Sequence, residues 1–541
     1  MAQQSPDPNQ QPSGEAWKTR IGVILAVAGS AVGLGNFLRF PGLAAQYGGG
    51  AFMIPYFIAF FILGLPIAWV EWSFGRYGGR RGFNATPGIF LAATRSKFAS
   101  YLGVLGLLIP VTIYFFYINV EAWCLGYAWK YLMGTMPTDA AAAGQYIGHY
   151  VGQEANGAVF TRPLESALIF LAISFVLNFT LIYRGLSKGI ELFCLWAMPA
   201  LLVLAAVIVV RVLTLGTPDP SMPERNVLSG LGYMWNPGGG GKGFWASLAD
   251  AEMWLAAAGQ IFFSLSIGLG VVITYASYMK PDDDVALSSM TAASGNGFAE
   301  VVLGGLMTIP AAFIFLGAIS PDTLDSTFAL TFKTLPSVFQ QMPGGRIFGF
   351  LFFFLLFLAA VTSSLSMLQP AIAFLEEGLG LNRKASVTLL GLVTLFGGLY
   401  VTYFSGGLTA LSTLDFWVAN FCIYLLATVM VILYGWVLGV DRGYEELQEG
   451  AEITVPKPVK FIIKYVAPLY LIVIFGFWAY SNFIGPLLAG ESAKWLAKIQ
   501  TNGVVQWTLI LLAVILIFFL LLIGQAHRRW NIEEAPKEVE R

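Results

Sequence analysis

The sequence predicts an all-α polytopic membrane protein of about 12 transmembrane helices, with both termini cytoplasmic, a 5+5 inverted repeat and helices 1 and 6 broken mid-membrane. Three observations carry this reading. The 541 residues are 57% hydrophobic and only 11% charged, against roughly 25% charged in a soluble domain. Apolar stretches near the ~20 residues that cross a bilayer recur from Ile21 to Gly524 with little room between them for a soluble domain. Two of these stretches, five segments apart, are interrupted by glycine and polar residues.

The segments fall at about 21–46, 51–77, 98–132, 164–183, 189–213, 251–278, 286–317, 346–378, 384–403, 407–440, 460–483 and 504–525. Basic residues resist translocation. Placing both ends inside puts twenty of the thirty Lys and Arg residues on the cytoplasmic side, among them Arg76, Arg80, Arg184, Lys280, Arg383 and Lys460. Residues 1–16, rich in Gln, Pro, Ser and Asp and without the basic start of a signal peptide, read as a disordered cytoplasmic tail. Residues 17–527 read as a single domain, with repeat one about 21–213, repeat two about 251–440 and two further helices about 460–525; 528–541 is a second cytoplasmic tail. The stretches 133–163, 214–250 and 318–345 read as long external connections, with turns at Gly238 to Gly241 and in the Pro-rich 217–223. The glycosylation triplet at Asn178 lies inside an apolar run and reads as silent.

Other classes are set aside on composition. A net charge of −1 with scattered Lys and Arg gives no nucleic-acid footprint. Cys124, Cys194 and Cys422 sit in apolar runs, which suggests neither disulfides nor a thiolate cluster. The two histidines, His149 and His527, stand apart, and no nucleophile–base or metal constellation is evident, so an enzyme is not expected.

The interruptions are Ala28-Gly29-Ser30-Ala31-Val32-Gly33-Leu34-Gly35-Asn36 and Phe263-Ser264-Leu265-Ser266-Ile267-Gly268-Leu269-Gly270. Small residues also let helices pack closely, but two such runs in corresponding positions point to an inverted-repeat carrier, because unwound backbone at depth is tolerated only where it lines a cavity. Freed carbonyls suit a small cation, and freed N–H groups at a half-helix start suit a carboxylate. Neither run contains Asp, Glu, Lys, Arg or His. Neutral oxygens favour sodium over a proton relay, which needs a titrating side chain.

Trp17-Lys18-Thr19-Arg20, Gly33 to Pro41, Gly48-Gly49-Gly50-Ala51-Phe52, Tyr275-Ala276-Ser277-Tyr278 and Thr362-Ser363-Ser364 resemble the neurotransmitter:sodium symporter family, and more closely its bacterial leucine-transporter branch. The resemblance implies sodium-coupled symport of neutral, mainly aliphatic L-amino acids by alternating access across the cell (inner) membrane. The partners expected are a neutral amino acid and the lipid bilayer, with homodimerisation left open and two Na+ as cofactors. One sodium would be held by Ala31, Asn36, Ser264 and Asn296 with the substrate carboxylate, the second by Gly29, Val32, Ala359, Thr362 and Ser363. The substrate carboxylate is implied to meet Leu34, Gly35 and Tyr117, and its ammonium Ala31, Phe263 and Ser266. Ser30, Ile113, Tyr117, Phe263, Ser264, Leu269, Phe328, Ser363 and Met367 are the implied side-chain pocket. Relative to the leucine branch, Ser30 replaces Asn, Ile113 Val, Leu269 Phe and Met367 Ile. Monoamine carriers have Asp where this chain has Gly33, which favours an amino acid with its own carboxylate.

The same resemblance implies an outer gate of Arg39 and Asp415 above a Tyr117–Phe263 lid, and an inner gate of Trp17, Ser277, Tyr278 and Glu377. The arginine that family members place before the Trp is Gly14 here, with Lys18 as a candidate replacement. Glu300, one helical turn after Asn296, stands where chloride-dependent relatives have Ser, so its carboxylate is expected to replace chloride. Glu71 is expected to support the broken first helix. A proton-coupled carrier of the same fold and a non-transporting sensor or channel remain the alternatives.

Overall fold

The computed structural model describes residues 17, 19–237, 243–317, 328, 330–488 and 494–530. The expected tail 1–16, residues 531–541 of the second tail, Lys18 and the turn at Gly238 to Gly241 lie outside these residues. Among the described residues there is no strand, and nine unbroken helices are long and apolar enough to cross a membrane. Their bounds follow the predicted segments closely: Gly50–Gly79, Lys97–Met133, Leu186–Leu213, Val285–Leu316, Gly345–Leu379, Arg383–Tyr403, Gly406–Gln448, Pro458–Leu488 and Gly503–Ala526. The fourth segment is the shorter helix Leu168–Tyr183.

Segments 1 and 6 are broken where expected. Segment 1 runs as Arg20–Ala31 and Gly35–Gln46, bent by 42°. Segment 6 runs as Ala251–Ser264 and Val271–Ser277. Between the latter halves, Ser266, Gly268 and Gly270 take φ values of 55°, 75° and 84°, a left-handed geometry that a continuing helix cannot contain and that glycine adopts without a Cβ clash. A Cβ on Gly270 would lie 2.4 Å from the carbonyl oxygen of Gly106, so segment 3 presses directly on this break.

Segment 3 forms the middle of the molecule, buried along most of its length and packed lengthwise on segment 8. Segment 2 approaches the second half of segment 6 through glycines: a Cβ on Gly75 would lie 2.2 Å from Ile273 O, and one on Gly79 2.0 Å from Ser277 O. Segment 7 does the same against segment 1, with Gly304 facing Asn36 O at 2.1 Å. Segment 10 turns at Gly439, φ 94°, into the amphipathic Val440–Gln448. There the fully buried Arg76 of segment 2 donates to the Glu446 carboxylate at 2.9 Å, to Glu449 O at 2.9 Å and to Asp283 O at 2.6 Å.

The expected external connections are structured. Ala140–Val151 and Val227–Trp235 are helices, capped by Asp139, which accepts from Ala142 N, and by Asn226, which accepts from Ser229 N. An Asp or Asn ahead of a helix-forming run satisfies the free first-turn N–H groups. The part of 318–345 that is described includes the helix Leu335–Gln341.

The glycine contacts give a test. In an open helix Gly→Ala stabilises by roughly 0.5–1 kcal/mol. Gly75→Ala is expected instead to lower the melting temperature of the detergent-solubilised protein, because backbone must shift, at a cost of about 1–3 kcal/mol; thermal size-exclusion profiles read this, and an unchanged or higher melting temperature contradicts the packing.

Candidate substrate and cation site

The two breaks face each other across the buried centre. Asn36 folds back on its own turn, its Oδ1 accepting from Gly33 N at 2.9 Å. Its Nδ2 lies 2.7 Å from the side chain of Asn296 in segment 7. The same end of the Asn296 amide lies 3.0 Å from Ala31 O and 3.2 Å from Ser264 O, and its other end 3.2 Å from Ser264 Oγ. Ala31, Asn36, Ser264 and Asn296, the set that the resemblance implied for one sodium, thus converge.

The second set gathers on segment 8. Ser363 Oγ lies within 3.3 Å of Gly29 O, 3.1 Å of Ser30 O and 3.2 Å of Ala359 O, and Thr362 Oγ1 donates to Ala359 O at 3.0 Å. Gly29 backs onto Thr362, whose Cβ a Cβ on Gly29 would meet at 3.3 Å. Val32 stands at the end of the first half-helix. Both sets consist of buried backbone carbonyl, hydroxyl and amide oxygens, the neutral donors by which unwound transporter helices hold sodium, and the residues present fit that ion.

Between the sets lies the implied substrate pocket. Leu34 N donates to Tyr117 OH at 3.3 Å. Ser266 Oγ donates to Ser30 O at 3.0 Å, and Ser30 Oγ pairs with Ser366 Oγ at 2.8 Å, so Ser366 joins a floor of hydroxyls that the sequence reading had not included. Ile113, Leu269 and Met367 are buried, while Phe328 is partly exposed and meets Trp123 edge-on. Gly33 has no room for a side chain: a Cβ there would lie 2.4 Å from Ser363 Oγ and 3.0 Å from Tyr117 OH.

Buried carboxylates flank the breaks. Glu300 accepts from Tyr56 OH at 2.5 Å, from Ser264 Oγ at 3.1 Å and from Gln260 Nε2. Gln260, one turn before Ser264 on the same helical face, was within reach of a spacing argument; Tyr56, more than two hundred residues away in sequence, had no such signal. Glu71 supports the break of segment 6 and not that of segment 1, accepting from Gly268 N at 2.6 Å. A left-handed turn exposes its N–H groups, and the carboxylate on segment 2 meets the nearest one.

The residues that the resemblance implied as gates meet indirectly. Arg39, Asp415, Tyr117 and Phe263 line one small cavity, and the Arg39 guanidinium sits 4.9 Å from the Phe263 ring centre. Asn420 accepts from Arg39 at 3.2 Å and donates to the backbone carbonyl of Asp415 at 2.9 Å. On the other side, Trp17 Nε1 donates to Tyr275 O at 3.1 Å, Ser277 Oγ to Asn84 Oδ1 at 3.0 Å, and Gln369 Nε2 to Tyr278 OH at 3.2 Å. Glu377 accepts backbone N–H groups, Asn84 at 2.5 Å and Ala85 at 3.3 Å. Gly14 and Lys18 are outside the described residues. Among the described residues at the start of segment 1, Arg20 forms ion pairs with Asp284 at 3.3 Å and Glu452 at 2.5 Å.

The profile of the Sodium:neurotransmitter symporter family matches residues 14–146 and 164–527. An uncharacterised sodium-dependent transporter of Haemophilus influenzae is 29% identical, over 85% of this chain and 97% of its own. One from Methanocaldococcus jannaschii is 28% identical, over 84% of this chain and 89% of its own. The crystal structure of MhsT in complex with L-phenylalanine superposes with a TM-score of 0.73 at 27% identity, covering 86% of this chain and 99% of MhsT. Sequence, fold and the matched span agree: the chain is a multi-pass membrane protein of the sodium:neurotransmitter symporter family, a transporter and not an enzyme.

Proposed function

We propose that this chain carries neutral, mainly aliphatic L-amino acids such as leucine across the inner membrane, coupled to two sodium ions and without chloride. The observation that supports this most is the convergence of Ala31, Asn36, Ser264 and Asn296 beside the Leu34–Tyr117 contact. The Leu34 and Gly35 N–H groups and the Tyr117 hydroxyl hold the substrate carboxylate, and the Ala31 and Phe263 carbonyls with Ser266 receive its ammonium. Sodium at the first set supplies a positive charge beside the carboxylate, since neither break contains Lys or Arg. Substrate and sodium then share ligands, so each raises the other's affinity by the same factor. L-Phenylalanine in MhsT supports the amino-acid class. Ile113, Leu269 and Met367 leave an apolar wall with no charge for acidic or basic side chains. One methylene in such a wall is worth about 1–3 kcal/mol.

Occupancy closes the Tyr117–Phe263 lid beneath Arg39 and Asp415, and the bundle holding segments 1 and 6 rocks to open the cytoplasmic side. Glu300, touching Ser264 directly, supplies the fixed negative charge that makes chloride unnecessary.

Radiolabelled leucine should accumulate in proteoliposomes under an inward sodium gradient and not with choline, and replacement of chloride by gluconate should leave uptake unchanged. Uptake driven equally in choline would favour a proton-coupled carrier. Asn296→Ala is expected to raise the half-saturating concentrations of sodium and leucine together, each by about ten-fold or more, since one lost ligand to a charge is worth about 1.5–3 kcal/mol; a rise in one alone would separate the two sites. At the inner side, Glu377→Gln should alter spin-label distances less than Arg20→Ala, because Glu377 is held by two amide N–H groups and Arg20 by two carboxylates.

A further inference from the structure

One buried carboxylate belongs to neither candidate cation set and neither gate. Glu121 lies on segment 3, one helical turn beyond Tyr117, and is fully buried together with Asn178 of segment 4, Ser364 of segment 8 and Tyr114. Its Oε2 accepts from Ser364 Oγ at 2.7 Å and from Asn178 Nδ2 at 3.2 Å. Asn178 Nδ2 also lies 2.9 Å from Ser364 Oγ and 3.2 Å from Tyr114 OH. Glu121 Oε1 and Asn178 Oδ1 are buried without a hydrogen-bond partner. Among the described residues no Lys, Arg or His pairs with this carboxyl.

A naked carboxylate in this position is costly, and a charge in a bilayer core is paired, neutralised or functional. A bound metal ion does not fit the arrangement, because the Asn178 amide nitrogen stands where the three surrounding oxygens converge. A proton does fit. With the hydrogen on Oε2, Glu121 donates to Ser364 Oγ, and Ser364 donates onward to Val361 O at 3.1 Å. Asn178 then donates to Tyr114, and Oε1 is left as an uncharged carbonyl oxygen.

Ser364 directly follows Thr362 and Ser363 of the second candidate sodium set. We propose that Glu121 is a proton-binding site of the carrier and that its proton opposes sodium at that neighbouring set. Loss of the proton places a full negative charge on the far face of segment 8, which favours the cation; binding of the cation in turn favours loss of the proton. The other titratable groups facing this stretch of segment 3 are Tyr114, Tyr117 and Cys124 on the segment itself and Arg39 and Asp415 beside Tyr117 and Val120, with Tyr101 and His527 at its cytoplasmic end. Segments 4 and 8 contribute the neutral Asn178 and Ser364, and segment 9 the neutral Thr402. Asn178, whose glycosylation triplet is buried, thus has a different use.

The inference rests on the sodium-coupled reading, and one experiment separates the two. Radioactive sodium binding is measured on the full-length protein in lipid nanodiscs, without amino acid, between about pH 5.5 and about pH 8.5. The half-saturating sodium concentration of the wild type is expected to be about ten-fold higher at the acid end, within the usual range of coupling between sites. Glu121→Gln, permanently neutral, should bind sodium at the wild type's acid-end concentration throughout. Asn178→Ala removes a donor that favours the charged form, so its transition should move to higher pH; this variant decides the matter if Glu121→Gln does not fold. The infrared difference spectrum between the two pH values should carry the C=O band of a buried carboxylic acid that Glu121→Gln lacks. A wild-type sodium affinity independent of pH, or a slope that Glu121→Gln keeps and Asn178→Ala does not move, overturns the proton site and leaves sodium coupling standing. Absence of sodium binding at every pH overturns both.

Discussion

The constraint on which the rest of this structure depends is that backbone N–H and C=O groups cannot be left unsatisfied in the middle of a bilayer. Breaking segments 1 and 6 frees such groups at a depth where water cannot reach them. Each break is therefore held by something. Asn36 closes on Gly33 N and Glu71 on Gly268 N, while Asn296 spans the two breaks. Glycines on neighbouring segments bring backbone against backbone, Gly304 at Asn36 O and Gly270 at Gly106 O. The groups that remain available form the site.

This arrangement also explains why the site is built from neutral oxygens and the carboxylates stand one layer behind. A carboxylate inside the break would bind the cation whether or not substrate were present. Placed behind Ser264, as Glu300 is, it adjusts the field at the break without entering it.

Much of this was legible in the sequence for a physical reason. Apolar runs long enough to span a bilayer have few alternatives, so segment bounds such as Gly345–Leu379 and Arg383–Tyr403 agree with the expectation to within a residue or two. Glycine and serine in the centre of such runs have few explanations either. The resemblance of stretches such as Gly33 to Pro41 and Thr362 to Ser364 then supplied the candidate site residues. What stayed illegible were pairings across long separations. Nothing in the spacing says that Glu71 meets segment 6 and not segment 1, that Arg20 finds Asp284 and Glu452, or that Glu121, Asn178 and Ser364 share one buried cluster. The helix Ala140–Val151 was hidden by its length, too short to register beside spans of twenty residues and more.

The buried arginine of segment 2 has a practical consequence. Arg76 reaches into Val440–Gln448 and holds that short helix by the Glu446 carboxylate and backbone, so the loop between segments 10 and 11 is tied mechanically to segment 2. An affinity tag, a fluorescent insertion or a protease site placed there would interfere with the machine, whereas the surface of Gly503–Ala526, largely turned outward, offers positions where labels can ride without touching it.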